Sequence, residues 1–122
     1  MGYAYYGNYA IYFEVARVEM LRKLGLSYKE LEEKGTWLPV LEFKTKYLAP
    51  AKYDDLLTVK VFIQKKPGVR IVFEYEVYNE SGKLLNQAET TLVFVSAENG
   101  KPTPPPKDFI STIAPYFEKI ES

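Results

Sequence analysis

The chain contains no cysteine and no histidine. The first absence excludes disulfides, thiolate nucleophiles and cysteine metal sites. The second removes Ser-His-Asp and Cys-His catalysis, histidine metal sites and any imidazole base. Acid–base chemistry must therefore come from carboxylates, tyrosine, lysine or backbone dipoles, and neither a metal nor another cofactor is expected. Net charge is absent as well, because 16 basic residues balance 16 acidic ones. No basic cluster is interleaved with aromatic residues, so neither nucleic acid nor an anionic membrane is an expected partner. No apolar run reaches the ~18 residues that a membrane helix needs. The first apolar stretch has no basic region ahead of it, which sets it apart from a secretory signal. A cytoplasmic protein is the expectation.

What is present suits one globular domain spanning residues 1–122. Hydrophobic residues make up 47% and charged residues 26%, enough to build a core without metals or cross-links. The N-terminus is unusual. Tyr3, Tyr5, Tyr6, Tyr9 and Tyr12 crowd into the first dozen positions, and an apolar helical pattern starts almost at once.

From Asn8 to Leu24 the apolar residues Tyr9, Tyr12, Phe13, Ala16, Met20 and Leu24 fall at helical spacing. Ile11, Val15, Val18 and Leu21 fill much of the other side, which predicts a helix buried nearly all round. Asn8 is the expected N-cap and Gly25 the expected stop. Ser27 and Glu30 have capping-box spacing ahead of a short helix, Tyr28 to Lys34, ended by Gly35. After Trp37 the period changes to that of strands: Val40 to Tyr47, Leu56 to Gln64, Val69 to Asn79 and Leu84 to Ser96. Lys66-Pro67-Gly68 and Asn79-Glu80-Ser81-Gly82-Lys83 are turn signals, and an antiparallel meander is expected. Asn99 to Pro106 holds four prolines and reads as a stiff, extended segment. Asp108 then caps a last short helix with Phe109, Ile113, Phe117 and Ile120 on one face. The class is α+β, and four strands would not cover so apolar a helix. A further strand or a partner subunit is expected.

Three segments carry a resemblance. Gly2-Tyr3-Ala4-Tyr5-Tyr6-Gly7-Asn8-Tyr9 with Phe13-Glu14-Val15-Ala16-Arg17 is similar to the opening loop and helix of the hotdog-fold acyl-CoA thioesterases of the 4-hydroxybenzoyl-CoA thioesterase-like group. Tyr47-Leu48-Ala49-Pro50 with Asp55-Leu56 resembles that family's link between strands. Phe94-Val95 with Gly100-Lys101-Pro102 resembles its final strand and exit. The resemblance implies a hotdog fold, a long central helix wrapped by an antiparallel sheet. It also implies hydrolysis of acyl-CoA, and a homodimer or dimer of dimers with sites between subunits. In the family a first strand ends in a reactive Asp three residues before the glycine matching Gly2. That place falls two positions ahead of Met1, so the resemblance implies a longer product with a start upstream, or else a variant without the strand and its Asp.

Thioester hydrolysis needs donors for an oxyanion and a carboxylate that attacks or activates water. The resemblance assigns the backbone N–H of Tyr6 to the oxyanion, where the free N–H groups of the helix start also favour negative charge. Packing at the helix start is the other reading of Tyr6. Tyrosine there, in place of the family's frequent histidine, shuttles no proton near neutral pH. Glu14 is the fallback carboxylate, since a second branch of hotdog thioesterases uses a helix Glu. Its favoured reading is an ion pair with Arg17 at i,i+3 or with a partner chain. Tyr3, Tyr5, Gly7, Asn8 and Tyr9 are the expected substrate-binding positions, whereas Tyr12 is expected in packing. Lys60, Lys65, Lys66 and Arg70 could meet CoA phosphates, though hairpin lysines more often keep edges soluble. Asp54 and Asp55 are expected to order the turn before Leu56. The alternatives to a thioesterase are a non-catalytic acyl-CoA-binding or inactive hotdog protein, a hydratase, which the lack of histidine disfavours, and an unrelated lipid-carrying domain.

Overall fold

A computed structural model describes the backbone of residues 8–50, 56–63 and 65–121, and the side chains of residues 10–50, 56–63 and 65–115. In chain order the elements are α1 (Asn8–Lys23), α2 (Tyr28–Glu33), β1 (Thr36–Trp37), β2 (Val40–Tyr47), β3 (Thr58–Phe62), β4 (Arg70–Tyr78), β5 (Leu84–Val93), β6 (Val95–Ser96) and α3 (Lys107–Glu121).

Helix α1 ends as its glycine foretells. Gly25 takes φ +79°, a conformation that only glycine adopts without strain. The Gly25 N–H then donates to Arg22 O at 2.9 Å and the Leu26 N–H to Leu21 O at 2.8 Å, which caps the last turn. Helix α2 starts where Ser27 accepts the Glu30 N–H at 3.1 Å, the capping half that the sequence predicts. Asn8 differs from its expected place: the helix already includes it.

The main sheet is antiparallel in the order β2-β5-β4-β3. The expected meander is therefore corrected. β3, β4 and β5 do follow one another as antiparallel neighbours, but β2 pairs with β5 (Lys44 opposite Glu89, Tyr47 opposite Asn86). Turn length explains this. Asn79 closes the β4–β5 hairpin, its Oδ1 accepting the N–H groups of Ser81 and Lys83 at 3.0 Å each. The segment from Leu48 to Leu57 is too long for a hairpin and carries the chain across to the other edge. The last strand also stops sooner than expected. Phe94 leaves the ladder, fully buried, and Val95–Ser96 pairs instead with Thr36–Trp37 in a second, two-stranded sheet.

Alternation along β4 decides what faces the helix. Ile71, Phe73, Tyr75 and Val77 are all buried, and Ala88, Thr90 and Leu92 on β5 join them. Onto this surface α1 lays one row at i, i+4 and i+8: Phe13, Arg17 and Leu21. Phe13 packs on Tyr75 with ring centroids 4.6 Å apart and on Phe43 at 5.9 Å. The expectation of a helix buried all round fails for one chain. Ile11 is 57% exposed and Val15 56%, because the sheet reaches only one side of α1.

Helix α3 closes the far end, with Phe109 edge-on to Phe94 at 5.4 Å and Ile113 buried beside the core. It is a 15-residue helix rather than a short one. Asp108 is not its cap: it lies inside the first turn, its Oδ2 accepting from Lys34 Nζ at 2.8 Å.

Candidate active site

Two sets of contacts fix the direction of α1 over the sheet. Phe13 sits over Tyr75 and Phe43, and Arg17 sits farther along, over the Phe73 ring at 6.0 Å. Toward its N-terminus α1 therefore runs past Tyr75 to the end of the sheet that holds Val77, Asn86 and Tyr47, cross-strand neighbours on β4, β5 and β2. A helix start leaves several N–H groups without intrahelical partners and carries partial positive charge. It is the one part of α1 suited to a developing oxyanion.

Tyr3, Tyr5, Tyr6 and Gly7 lie outside the described residues, as do the side chains of Asn8 and Tyr9. Asp54 and Asp55 lie outside them too, and the Leu56 N–H that follows donates to Glu80 Oε1 at 3.1 Å. Glu14 is within them, on the exposed side of α1. The expected ion pair of Glu14 with Arg17 is not formed. Arg17 turns into the core, only 6% exposed, and donates from Nε to the Tyr28 hydroxyl at 2.7 Å and from Nη1 to the Tyr75 hydroxyl at 2.9 Å. The Tyr75 and Thr90 hydroxyls share a further hydrogen bond of 2.7 Å. Burial pushes the phenols of both Tyr28 and Tyr75 upward in pKa. They stay neutral partners of the guanidinium at ordinary pH, and no carboxylate hydrogen-bonds to this group among the described residues, although the charge of Glu14 adds to the rise at Tyr28.

At that end of the sheet, Asn86 is fully buried on β5. Its Oδ1 accepts from Thr45 Oγ1 at 3.1 Å, while its Nδ2 has no partner among the described residues. An open, mainly apolar groove of about 480 Å3 runs between α1 and the edge strand β3, lined by Tyr12, Val15, Ala16, Leu56, Leu57 and Val59. Tyr12, expected in packing, thus borders a groove. Of the hairpin cations, Lys60 is occupied by the Tyr78 ring, 5.0 Å from its centroid. The Arg17–Tyr28–Tyr75–Thr90 network and the Asn86 amide are functional candidates that the sequence reading missed. Their members come from α1, α2, β4 and β5, and no local spacing links them.

A long helix, α1, laid on an antiparallel sheet with its N-terminus at one end of that sheet defines a hotdog fold. The solved structures agree. A DHNA-CoA thioesterase from Staphylococcus aureus matches with a TM-score of 0.77 and 33% identity over 99% of this chain and 76% of that one. A second Staphylococcus aureus protein, solved in complex with CoA, matches with a TM-score of 0.88 and 25% identity, covering 97% of this chain and 75% of that one. The thioesterase superfamily model matches residues 1–86, and the chain belongs to that family. Among its relatives, the acyl-CoA thioester hydrolase YbgC of Escherichia coli O157:H7 is 33% identical over 110 residues, 90% of this chain and 82% of the relative. The acyl-CoA thioesterase YbgC of Haemophilus influenzae is 32% identical over 108 residues, 88% of this chain and 79% of the relative.

Proposed function

We infer that the chain is an acyl-CoA thioesterase, hydrolysing an acyl or aroyl thioester to the carboxylic acid and free CoA. The observation that carries this reading is its 33% identity, across 90% of its length, to a protein named as an acyl-CoA thioester hydrolase. The direction of α1 fits the chemistry, since its N-terminus supplies positive potential where an oxyanion would form. In this reading the backbone N–H of Tyr6 donates to the thioester oxygen, and Tyr3, Tyr5, Gly7, Asn8 and Tyr9 surround the substrate. The groove along Tyr12, Val15 and Leu57 takes the acyl group. Within these 122 residues Glu14 is the carboxylate to test.

The reading includes one hotdog domain over residues 1–122, a homodimer or dimer of dimers, and a cytoplasmic location shared with CoA thioesters. The exposed apolar row Ile11, Val15 and Val18 supports the assembly. Among the described residues no helix is long and apolar enough to cross a membrane. The test is thiol release from a panel running from acetyl-CoA to palmitoyl-CoA and benzoyl-CoA. Turnover of at least one member is expected. Folded protein that binds these thioesters without releasing CoA from any of them would make the chain a non-catalytic binder.

A further inference from the structure

The thioesterase reading leaves one buried charge without a task. Arg17 is the middle member of the row that seats α1, and it differs in kind from its neighbours. Phe13 and Leu21 make apolar contacts, which are non-directional and tolerate small sliding. Arg17 makes directional ones. Its Nε reaches Tyr28 on α2, its Nη1 reaches Tyr75 on β4, and Tyr75 is tied in turn to Thr90 on β5. A buried guanidinium without a carboxylate is costly to keep, because two phenols offer no compensating charge. A hydrophobic side chain would seal the same space more cheaply. What the guanidinium adds is geometry: a rigid planar fork that fits one axial position and one roll of the helix.

We propose that Arg17 is a positioning residue, pinning α1 through the Tyr28 and Tyr75 hydroxyls so that the helix N-terminus is held at a fixed distance from the thioester. The inference rests on the thioesterase reading, because only there does the position of that N-terminus matter for rate. Arg17 sits more than two turns into α1 and touches no reacting atom. It acts through the rigid helix, which carries an axial shift at Arg17 undiminished to its first turn. Misplacement of an oxyanion donor by ~1 Å costs about 10²-fold in rate.

The experiment uses the full chain with Arg17→Met, Arg17→Lys and Tyr28→Phe, benzoyl-CoA and butyryl-CoA as substrates, and hydrogen exchange of the backbone amides. For folded Arg17→Met, kcat is expected to fall about 10²-fold with KM within about twofold. Amides of α1 should exchange faster while those of β4 and β5 stay protected. Arg17→Lys keeps the charge but reaches only one hydroxyl, so it should recover less than about a tenth of the lost kcat. Tyr28→Phe removes one prong and should cost a few-fold in kcat. An unchanged kcat in folded Arg17→Met overturns the proposal, and so does full recovery by lysine, which would mean that charge alone matters. Should Arg17→Met fail to fold, Tyr28→Phe decides: an unchanged kcat there overturns the pinning. Wild-type protein that hydrolyses no thioester sinks the thioesterase reading. Exchange still judges the pin separately, since unaltered α1 protection in Arg17→Met overturns it.

Discussion

The two sides of α1 are close in composition and opposite in fate. Phe13 and Leu21 are each 1% exposed against the sheet, whereas Ile11 and Val15, each two residues from Phe13, stand more than half exposed. Periodicity cannot separate them, because both rows repeat at helical spacing and both are apolar. What differs is reach. A four-stranded sheet covers one side of a helix, and the second apolar side has to be met by something outside that sheet. The sharpest way to break this comparison is to treat the rows alike. Phe13→Ala removes a ring packed on Tyr75 and Phe43 and should destabilise by about 3–5 kcal/mol, read as a lower midpoint in urea with unchanged slope. A loss below about 1 kcal/mol would show that the row does not seat the helix.

Val15→Asp sharpens the same comparison from the other side. Its effect belongs to assembly rather than to folding. Burying a carboxylate in an apolar interface is strongly unfavourable, so the homodimer proposed above should dissociate at micromolar concentration in light scattering. The monomer's own core is untouched. If the variant associates as wild type does, the exposed row serves no subunit contact.

Much of the architecture was legible because it is local. Gly25 stops α1 through a positive φ, Ser27 caps α2, and alternation along Phe73, Tyr75 and Val77 marks a strand with one buried face. Where the reading failed, the cause is tertiary. Nothing in Val40 to Tyr47 says that it pairs with β5 rather than β3, since pairing partners are chosen by the whole sheet. Asp108 has the chemistry of a cap, yet it lies inside the helix, where one carboxylate oxygen accepts the Phe109 N–H and the other pairs with Lys34, 74 positions earlier in the chain. Arg17 and Glu14 have the spacing of an ion pair, and two phenols from distant elements win the guanidinium. The expected site positions Tyr3 to Gly7 lie outside the described residues, so that part of the reading stays with the resemblance and the proposal built on it.

Titration compares the interior with the surface in a different way. Burial raises the pKa of Tyr28 and Tyr75, first by desolvation, and the Arg17 charge opposes this only in part. The sign follows from proton counts. Between the ordinary tyrosine value of 10.0 and the raised folded value, the unfolded chain has lost a proton that the folded one keeps. Stability is therefore complete below pH ~10 and falls as pH climbs through the folded values. Thermal unfolding from pH 8 upward should show this loss, and Tyr28→Phe should reduce its slope. A variant that follows the wild-type alkaline curve would mean that Tyr28 titrates as if exposed.

The smallest expected effect is the most useful for the chemistry. Glu14 lies on the exposed side of α1, and the guanidinium three residues on is committed to Tyr28 and Tyr75. Replacing Glu14 by Gln should therefore move stability by no more than about 0.5 kcal/mol, the range of surface substitutions that break no ion pair. Differential scanning calorimetry checks this directly. A shift of several degrees would restore the ion pair and make any loss of activity ambiguous, because an abandoned buried Arg17 would disturb α1. An unchanged unfolding transition removes that ambiguity. The same Glu14→Gln protein then reports on hydrolysis alone. A fall in kcat of about 10²-fold or more on benzoyl-CoA would make Glu14 the reacting carboxylate. Full retention would exclude it as the reacting carboxylate.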